Sequence, residues 1–312
     1  MTEDQSLLVD TFSEKQAYLE KPAHPGRPYA TVVTFNPHPR QFFTGQSRQL
    51  LTPPAEKIRQ LHLLGVEQLV MLPFDQEMAV LSPEEFVEKI LVRQLRARQI
   101  SVGQDFCFGH RRAGTSADLQ ALAAKYDVEV IIVAIQNCEG ERISSSIIRE
   151  HLQAGEIERA NHLLGRPYSL TGIVVKGQQL GRTLGFPTAN LQISPDKLLP
   201  RLGVYAVTVS IEQADGNTTT ITAQAKSSSY FPVATASTKF LPGVVNIGTR
   251  PTVNGSTPTV EVHLLDWSGD LYGKTLSVNL EKFLRPEQKF PSLEALKEQI
   301  QTDCAIAKSL LE

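Results

Sequence analysis

The chain has 312 residues, of which 41% are hydrophobic and 21% charged, the balance of an ordinary globular protein with room for two domains. A formal net charge of -2 gives no global positive field, which argues against nucleic-acid and acidic-membrane partners. No apolar run approaches the roughly 18 residues of a membrane span, and the opening Met-Thr-Glu-Asp-Gln carries neither a basic nor a long apolar signal region. Cys107, Cys138 and Cys304 lie far apart, with no CxxC pair and no metal-ligand spacing, which suits a reducing compartment. A cytoplasmic protein is the expectation.

The first half alternates strand-like and helix-like segments. Ser6 to Leu19 is polar and helix-like. Tyr29 to Phe35 is short, apolar and β-branched, and reads as a strand. Pro54 to Leu64 has helical periodicity through Ile58, Leu61 and Leu64, and Gly65 stops it. Gln68 to Pro73 reads as a buried strand. Ser82 with Glu85 makes a capping box for a helix running to about Arg96. Gln99 to Val102 is a further strand, Ser116 to Tyr126 a helix, and Val128 to Ile135 a buried strand. This alternation predicts a parallel, doubly wound α/β sheet. Two short helices, Ser145 to Ala154 and Ile157 to Leu164, form the join.

The second half changes period. Ser169 to Lys176, Gly203 to Glu212, Thr219 to Ala225, Thr259 to Leu265 and Lys274 to Leu280 are strand-like, with turn residues and no helix between them. That is the pattern of an antiparallel barrel or sandwich. Residues 224–241 are polar, small and aperiodic, and read as a long loop. Ser292 caps a final helix with an apolar stripe of Leu293, Leu296, Ile300 and Ile306.

The densest feature follows the strand SLTGIVVK. In GQQLGRTLGFPTAN (177–190), glycines such as Gly177 and Gly185 let backbone amides approach an anion, and Lys176 and Arg182 add positive charge. A P-loop is excluded, because GxxxGRT followed by GFP has neither the Walker spacing nor a helix start. A glycine-rich hairpin and a phosphate cradle both accommodate these residues. Thr188 and Asn190 add two hard oxygen donors, enough for a Mg·nucleotide site, or for a turn in which Asn caps its own backbone. In TVEVHLL, Glu261 and His263 share one face and Val260 and Val262 the other. Glu261 is then either a solvent-facing strand residue or a carboxylate able to accept a substrate proton. In the first half, Asn36-Pro37-His38-Pro39 is a rigid turn at a strand's C-terminal edge, where α/β folds bind ligands. A lone His there is as readily structural.

Six segments occur in order: GRPYSL (165–170), GRTLGFPTAN (181–190), GVYA (203–206), NIGTRPT (246–252), EVHLLDWSGDLYG (261–273) and LRPEQKF (284–290). Together they resemble the riboflavin kinase module of the prokaryotic bifunctional riboflavin kinase/FMN adenylyltransferase family. TFNPHPRQFF (34–43), SVGQDFCFGHRRAGT (101–115) and ISSSIIR (143–149) resemble its adenylyltransferase module, with ISSS where the family has ISST. The resemblance implies an incomplete Rossmann-like domain over residues 1–163. It implies a six-stranded antiparallel kinase barrel with a C-terminal helix over 164–312. It also implies riboflavin, ATP and FMN as substrates and product, and Mg2+ bound with ATP at Thr188 and Asn190. Lys176, Gly177, Arg182, Gly185 and Thr188 would hold the nucleotide phosphates, and Glu261 would be the base for the ribityl 5'-hydroxyl. Asn36, His38, Asp105 and Phe106 match the flavin side of the adenylyltransferase site. Ser144, Ser145 and Arg149 match its phosphate side.

One departure is large. The family opens with a strand and an HxGH loop, and no two of His24, His38, His62, His110, His151, His162 and His263 have that spacing. The first strand is therefore expected to be absent or replaced, leaving the 29–35 strand without a partner and FAD formation impaired. A working bifunctional enzyme and a non-catalytic flavin-binding regulator are the alternatives. The pairing of metal oxygens with a base argues against the regulator. The long loop at 224–241 has no counterpart in the compact family pattern.

Overall fold

A computed structural model describes residues 8–11, 27–177, 181, 184–212, 240–252 and 255–311. The chain divides into two compact units, Met1–Arg48 with Lys57–Arg142, and Gln49–Glu56 with Ile143–Glu312.

In the first unit, strands β1 (Leu8–Thr11), β2 (Thr31–Asn36) and β3 (Gln68–Pro73) form a parallel sheet in the order β1-β3-β2. Strands β4 (Gln99–Gly103) and β5 (Glu129–Val133) form a second parallel pair. The expected α/β alternation is present, split between two sheets. Both line one core, in which Val70 and Leu72 of β3 meet Val87, Leu119 and Val130. The capping box at Ser82 forms, with Glu85 N–H donating to Ser82 Oγ and Ser82 N–H to Glu85 Oε2. The helix behind it continues as π turns over Phe86–Gln94.

Three expectations are corrected by the structure. Leu8–Thr11 is extended rather than helical and pairs in parallel with Gln68–Met71, so it does supply ladder hydrogen bonds. The rest of Ser6 to Leu19 lies outside the described residues. The 29–35 strand keeps a partner, because Thr31–Asn36 pairs along its length with Gln68–Pro73. The strand expected at Val128 to Ile135 is buried only on one side, with Ile131 43% and Val133 42% exposed. A run of apolar residues does not by itself show whether both faces are covered.

The second unit is a closed antiparallel barrel of β6 (Tyr168–Val175), β7 (Ala189–Ile193), β8 (Gly203–Ile211), β9 (Leu241–Thr252), β10 (Gly255–Leu264) and β11 (Thr275–Arg285). The order around it is β6-β7-β10-β9-β8-β11. Closure removes exposed strand edges. Tyr205, Val207 and Val209 fill the interior. Val204, Ala206 and Val244 point outward yet are buried, because the final helix (Leu293–Leu311) packs over them through Ala307. Its buried face is therefore centred on Asp303 and Ala307, not on the expected stripe, since Leu293 is 64% and Ile306 45% exposed. Burial beside Asp303 pushes the Cys304 thiol up to about 11. The expected strand at Thr219 to Ala225 and almost all of the 224–241 loop lie outside the described residues.

Gln49–Glu56 is a strap that belongs to the barrel unit. Leu50 N–H donates to Asp196 O, and Leu198 N–H donates to Leu50 O at 2.9 Å, making a short parallel bridge. Arg149 Nη1 donates to Gln49 O at 2.8 Å, and Arg166 Nη2 to Thr52 Oγ1 at 3.2 Å. Lys197 closes the strap. Its ammonium, on a residue 2% exposed, donates to Glu56 Oε2 at 2.5 Å and Leu51 O at 2.8 Å, and sits 4.3 Å from the centroid of the Tyr168 ring. Burial holds the Lys197 ammonium down at about 8, against the opposing pull of Glu56. The same burial raises the Tyr168 hydroxyl, which donates to Leu198 O at 2.6 Å.

Candidate functional site

The glycine-rich segment joins β6 to β7, and its ends are pinned from three sides. Phe186 N–H donates to Gly181 O at 2.8 Å, closing a tight turn that brings Gly181 under Thr188. A Cβ built on Gly181 would come 3.2 Å from Thr188 Oγ1, and one on Gly177 would collide with the Asn190 side-chain amide. Gly177 thus permits Asn190 to lie flat over the chain, and Gly185 takes the left-handed conformation at φ 87. Lys176 is exposed at the mouth of this cradle. Arg182 lies outside the described residues.

Strand register brings Glu261 to the same place. Asn190 of β7 stands directly opposite Glu261 of β10, which in turn stands opposite Asn246 of β9. Directly opposed residues share a face, so Asn190, Glu261 and Asn246 form one row across the outer wall of the barrel. Val260 and Val262 are buried, leaving Glu261 and His263 half-buried on the other side, so the valine face is the one the barrel takes. His263 was not singled out for the site, yet it fixes the cradle's exit. Its Nδ1 lies 2.9 Å from Pro187 O, and a carbonyl can only accept, so that nitrogen carries the proton. Its ring meets Phe186 edge-on at 5.5 Å. Nothing in the strand pattern marks this contact, because it joins residues 76 positions apart.

Beside Thr188 opens a cavity of about 360 Å³ lined by Val174, Pro187, Leu264, Trp267 and Tyr272. Its apolar walls and aromatic rings suit a flat heteroaromatic group. Among the described residues no cluster of three or more His, Cys, Asp or Glu side chains is placed to hold a metal. A cation here would instead take neutral oxygens, Thr188 Oγ1 and Asn190 Oδ1, and the phosphates of its nucleotide. That is the usual pattern for magnesium, which takes few protein oxygens.

The residues matched to an adenylyltransferase fall in both units. In the first, Asn36 precedes a cis bond to Pro37, and His38 caps the helix Pro39–Thr44 by accepting from Arg40 N–H at 3.1 Å. Asp105 pairs with Arg142, and Phe106 stacks on Phe108 at 5.6 Å. In the second unit, Ser144 caps the helix Ser145–Ala154, accepting from Ile147 N–H at 3.3 Å. Arg149 is the residue that holds the strap at Gln49.

The closed antiparallel barrel, with Asn190 and Glu261 paired beside a glycine-rich turn, is an arrangement suited to phosphoryl transfer. The riboflavin kinase family model matches residues 164–311, and the FAD synthetase model matches residues 17–147. The bifunctional riboflavin kinase/FMN adenylyltransferase of Pseudomonas fluorescens is 39% identical over 280 residues, covering 89% of this chain and 82% of its own. That of Escherichia coli K12 is 40% identical over 279 residues, covering 87% and 79%. A crystal structure from Streptococcus pneumoniae, named a macrolide-efflux protein, superposes with a TM-score of 0.74 at 31% identity over 89% of this chain and 83% of that one. The chain belongs to the bifunctional riboflavin kinase/FMN adenylyltransferase family, with a riboflavin kinase domain and an FAD synthetase domain. Among the described residues no helix is long and apolar enough to cross a membrane.

Proposed function

We propose that residues 164–312 catalyse transfer of the ATP γ-phosphate to the riboflavin 5'-hydroxyl, giving FMN and ADP. The observation that carries this reading is the row Asn190–Glu261 placed against the Gly177–Thr188 cradle. Glu261 accepts the hydroxyl proton as the new O–P bond forms and the bond to the β-phosphate oxygen breaks. The cradle amides, with Lys176, Gly177, Gly185 and Arg182, take the phosphate charge, and the cavity at Trp267 and Tyr272 takes the adenine. Mg2+ bound with ATP at Thr188 and Asn190 would neutralise charge on the transferring group, so the side chains mainly position reactants.

The test separates metal-nucleotide binding from folding. Thr188→Ala and Asn190→Ala should raise the Mg·ATP concentration needed for half-maximal rate at least fivefold, while the riboflavin requirement stays within twofold. An unchanged ATP dependence in folded variants would remove both residues from the site.

The adenylyltransferase-like part of the chain, residues 1–163 by motif, carries the flavin-side residues Asn36, His38, Asp105 and Phe106 and the phosphate-side residues Ser144, Ser145 and Arg149. Adenylyl transfer needs the ATP phosphates held while the α-phosphorus is attacked. The signature histidine pair for that task does not occur in these 312 residues. FMN is therefore the main product, and FAD a minor one.

A further inference from the structure

Strand β7 begins at Ala189, and its ladder with β10 begins there too, with Ala189 opposite Val262 and Asn190 opposite Glu261. Continued one step, this antiparallel register would set Thr188 opposite His263. The ladder runs no further, because Pro187 has no N–H to give. His263 supplies the missing link from its side chain. Its Nδ1–H donates to Pro187 O at 2.9 Å, and its ring meets the Phe186 ring edge-on at 5.5 Å. The carbonyl it holds belongs to the planar peptide unit that leads into Thr188, so its direction sets the plane from which the Thr188 side chain departs.

The same short segment is tied from its other side. Phe186 N–H donates to Gly181 O at 2.8 Å. A Cβ on Gly181 would stand 2.3 Å from Phe186 O and 3.2 Å from Thr188 Oγ1, so residues 186–188 lie against the turn with no room to move toward it. Pro187 is exposed and Thr188 half-buried, and both line the cavity at Trp267 and Tyr272. Phe186–Thr188 is thus clamped between the Gly181 turn and β10, and the β10 side of the clamp is His263. Glu261 lies two residues earlier on the same face of that strand. One strand therefore carries the carboxylate and also holds the turn that presents the Thr188 hydroxyl.

We infer that His263 is a positioning residue for the metal-nucleotide side of the kinase site, acting through Pro187 to keep the Thr188 hydroxyl beside Asn190 for the cation of Mg·ATP. The inference rests on the reading of Thr188 and Asn190 as the oxygens for Mg·ATP. Magnesium demands near-ideal octahedral geometry and takes few protein oxygens, so a small displacement of one of them is felt in nucleotide binding. Riboflavin has no such dependence on Thr188. The role needs a donor at Nδ1 and no change of charge, because the carbonyl can only accept.

The experiment is steady-state kinetics on the full chain, with folding checked by thermal unfolding. His263→Phe keeps the ring against Phe186 and removes the donor. It should raise the KM for Mg·ATP by roughly threefold to tenfold, the net worth of one neutral hydrogen bond, with the KM for riboflavin within twofold of wild type. His263→Asn places an amide N–H where the imidazole carries Nδ1–H, and should bring the KM for Mg·ATP back to within twofold. His263→Gln carries its donor one atom further out and should not. Because His263 acts through Thr188, the His263→Phe/Thr188→Ala double variant should be no worse than Thr188→Ala alone. A KM for Mg·ATP within twofold of wild type in His263→Phe overturns the inference. So does an equal rise toward both substrates, a failure of His263→Asn to rescue, or single effects that multiply in the double variant. If His263→Phe does not fold, the contrast between His263→Asn and His263→Gln decides. Thr188→Ala separates the two claims. If it raises the KM for Mg·ATP while His263→Phe does not, only the role of His263 falls, whereas an unchanged KM in Thr188→Ala removes the reading on which it rests.

Discussion

Removing Glu56 perturbs the barrel at a point far in sequence from any kinase motif. Its carboxylate holds Lys197 Nζ at 2.5 Å, and the two side chains are 12% and 1% exposed. Glu56→Ala leaves an ammonium buried with one carbonyl and an aromatic face, and breaking one side of a buried pair typically costs about 3–5 kcal/mol. For a unit of this size each kcal/mol moves the melting temperature by roughly 2–4 °C, so a fall of about 6–20 °C is expected. The Lys197→Met/Glu56→Leu double variant, which leaves no orphaned charge, should lose less than Glu56→Ala alone. Calorimetry of the full chain checks both, with riboflavin and Mg·ATP added to identify the barrel's transition by its ligand-induced shift. A pH arm tests the cause. Lys197 is held at about 8 against an ordinary value of 10.5, so between those values the unfolded chain binds more protons. Stability contributed at this position should therefore rise as pH climbs from about 8 to 10.5, measured against Lys197→Met, and be flat below. A shift under about 2 °C for Glu56→Ala, or a difference that falls with pH over that window, would refute the strap as part of the barrel's folding unit.

Two further outcomes follow from the site. Glu261→Gln should lower FMN formation by about 100- to 10,000-fold, the usual worth of a general base, while riboflavin and Mg·ATP binding measured by calorimetry stay within a few fold. More than half of wild-type turnover would remove Glu261 from the mechanism. Incubation with FMN, ATP and magnesium should give FAD and pyrophosphate at least 100-fold more slowly than riboflavin and ATP give FMN. One donor at a developing charge can alone be worth that much. Comparable rates would show that other residues do the work of the histidine pair.

The architecture was legible wherever local pattern and burial agree. Gln68–Pro73, Ser145–Ala154 and Ile157–Leu164 fall where periodicity places them, and the Ser82 capping box forms as its spacing requires. Ala189–Ile193 and Leu241–Thr252 carry no strand signal of their own in the sequence, because Pro, Gly and Asn interrupt the apolar pattern in and around them. Barrel closure overrides those weak local preferences. Glu261 and Asn190 were legible as chemistry but not as neighbours, since register between β7 and β10 sets their pairing. The strap was not legible at all, because Lys197 and Glu56 are separated by 141 positions and each alone reads as a surface charge.

The central claim is tested most directly by turnover of the full chain with riboflavin and Mg·ATP, followed by chromatographic separation of FMN, FAD, ATP and ADP. FMN and ADP are expected in equal amounts, with formation that stops when magnesium is chelated and FAD only as a minor late product. A folded barrel that binds riboflavin yet forms FMN no faster than a protein-free control would contradict it.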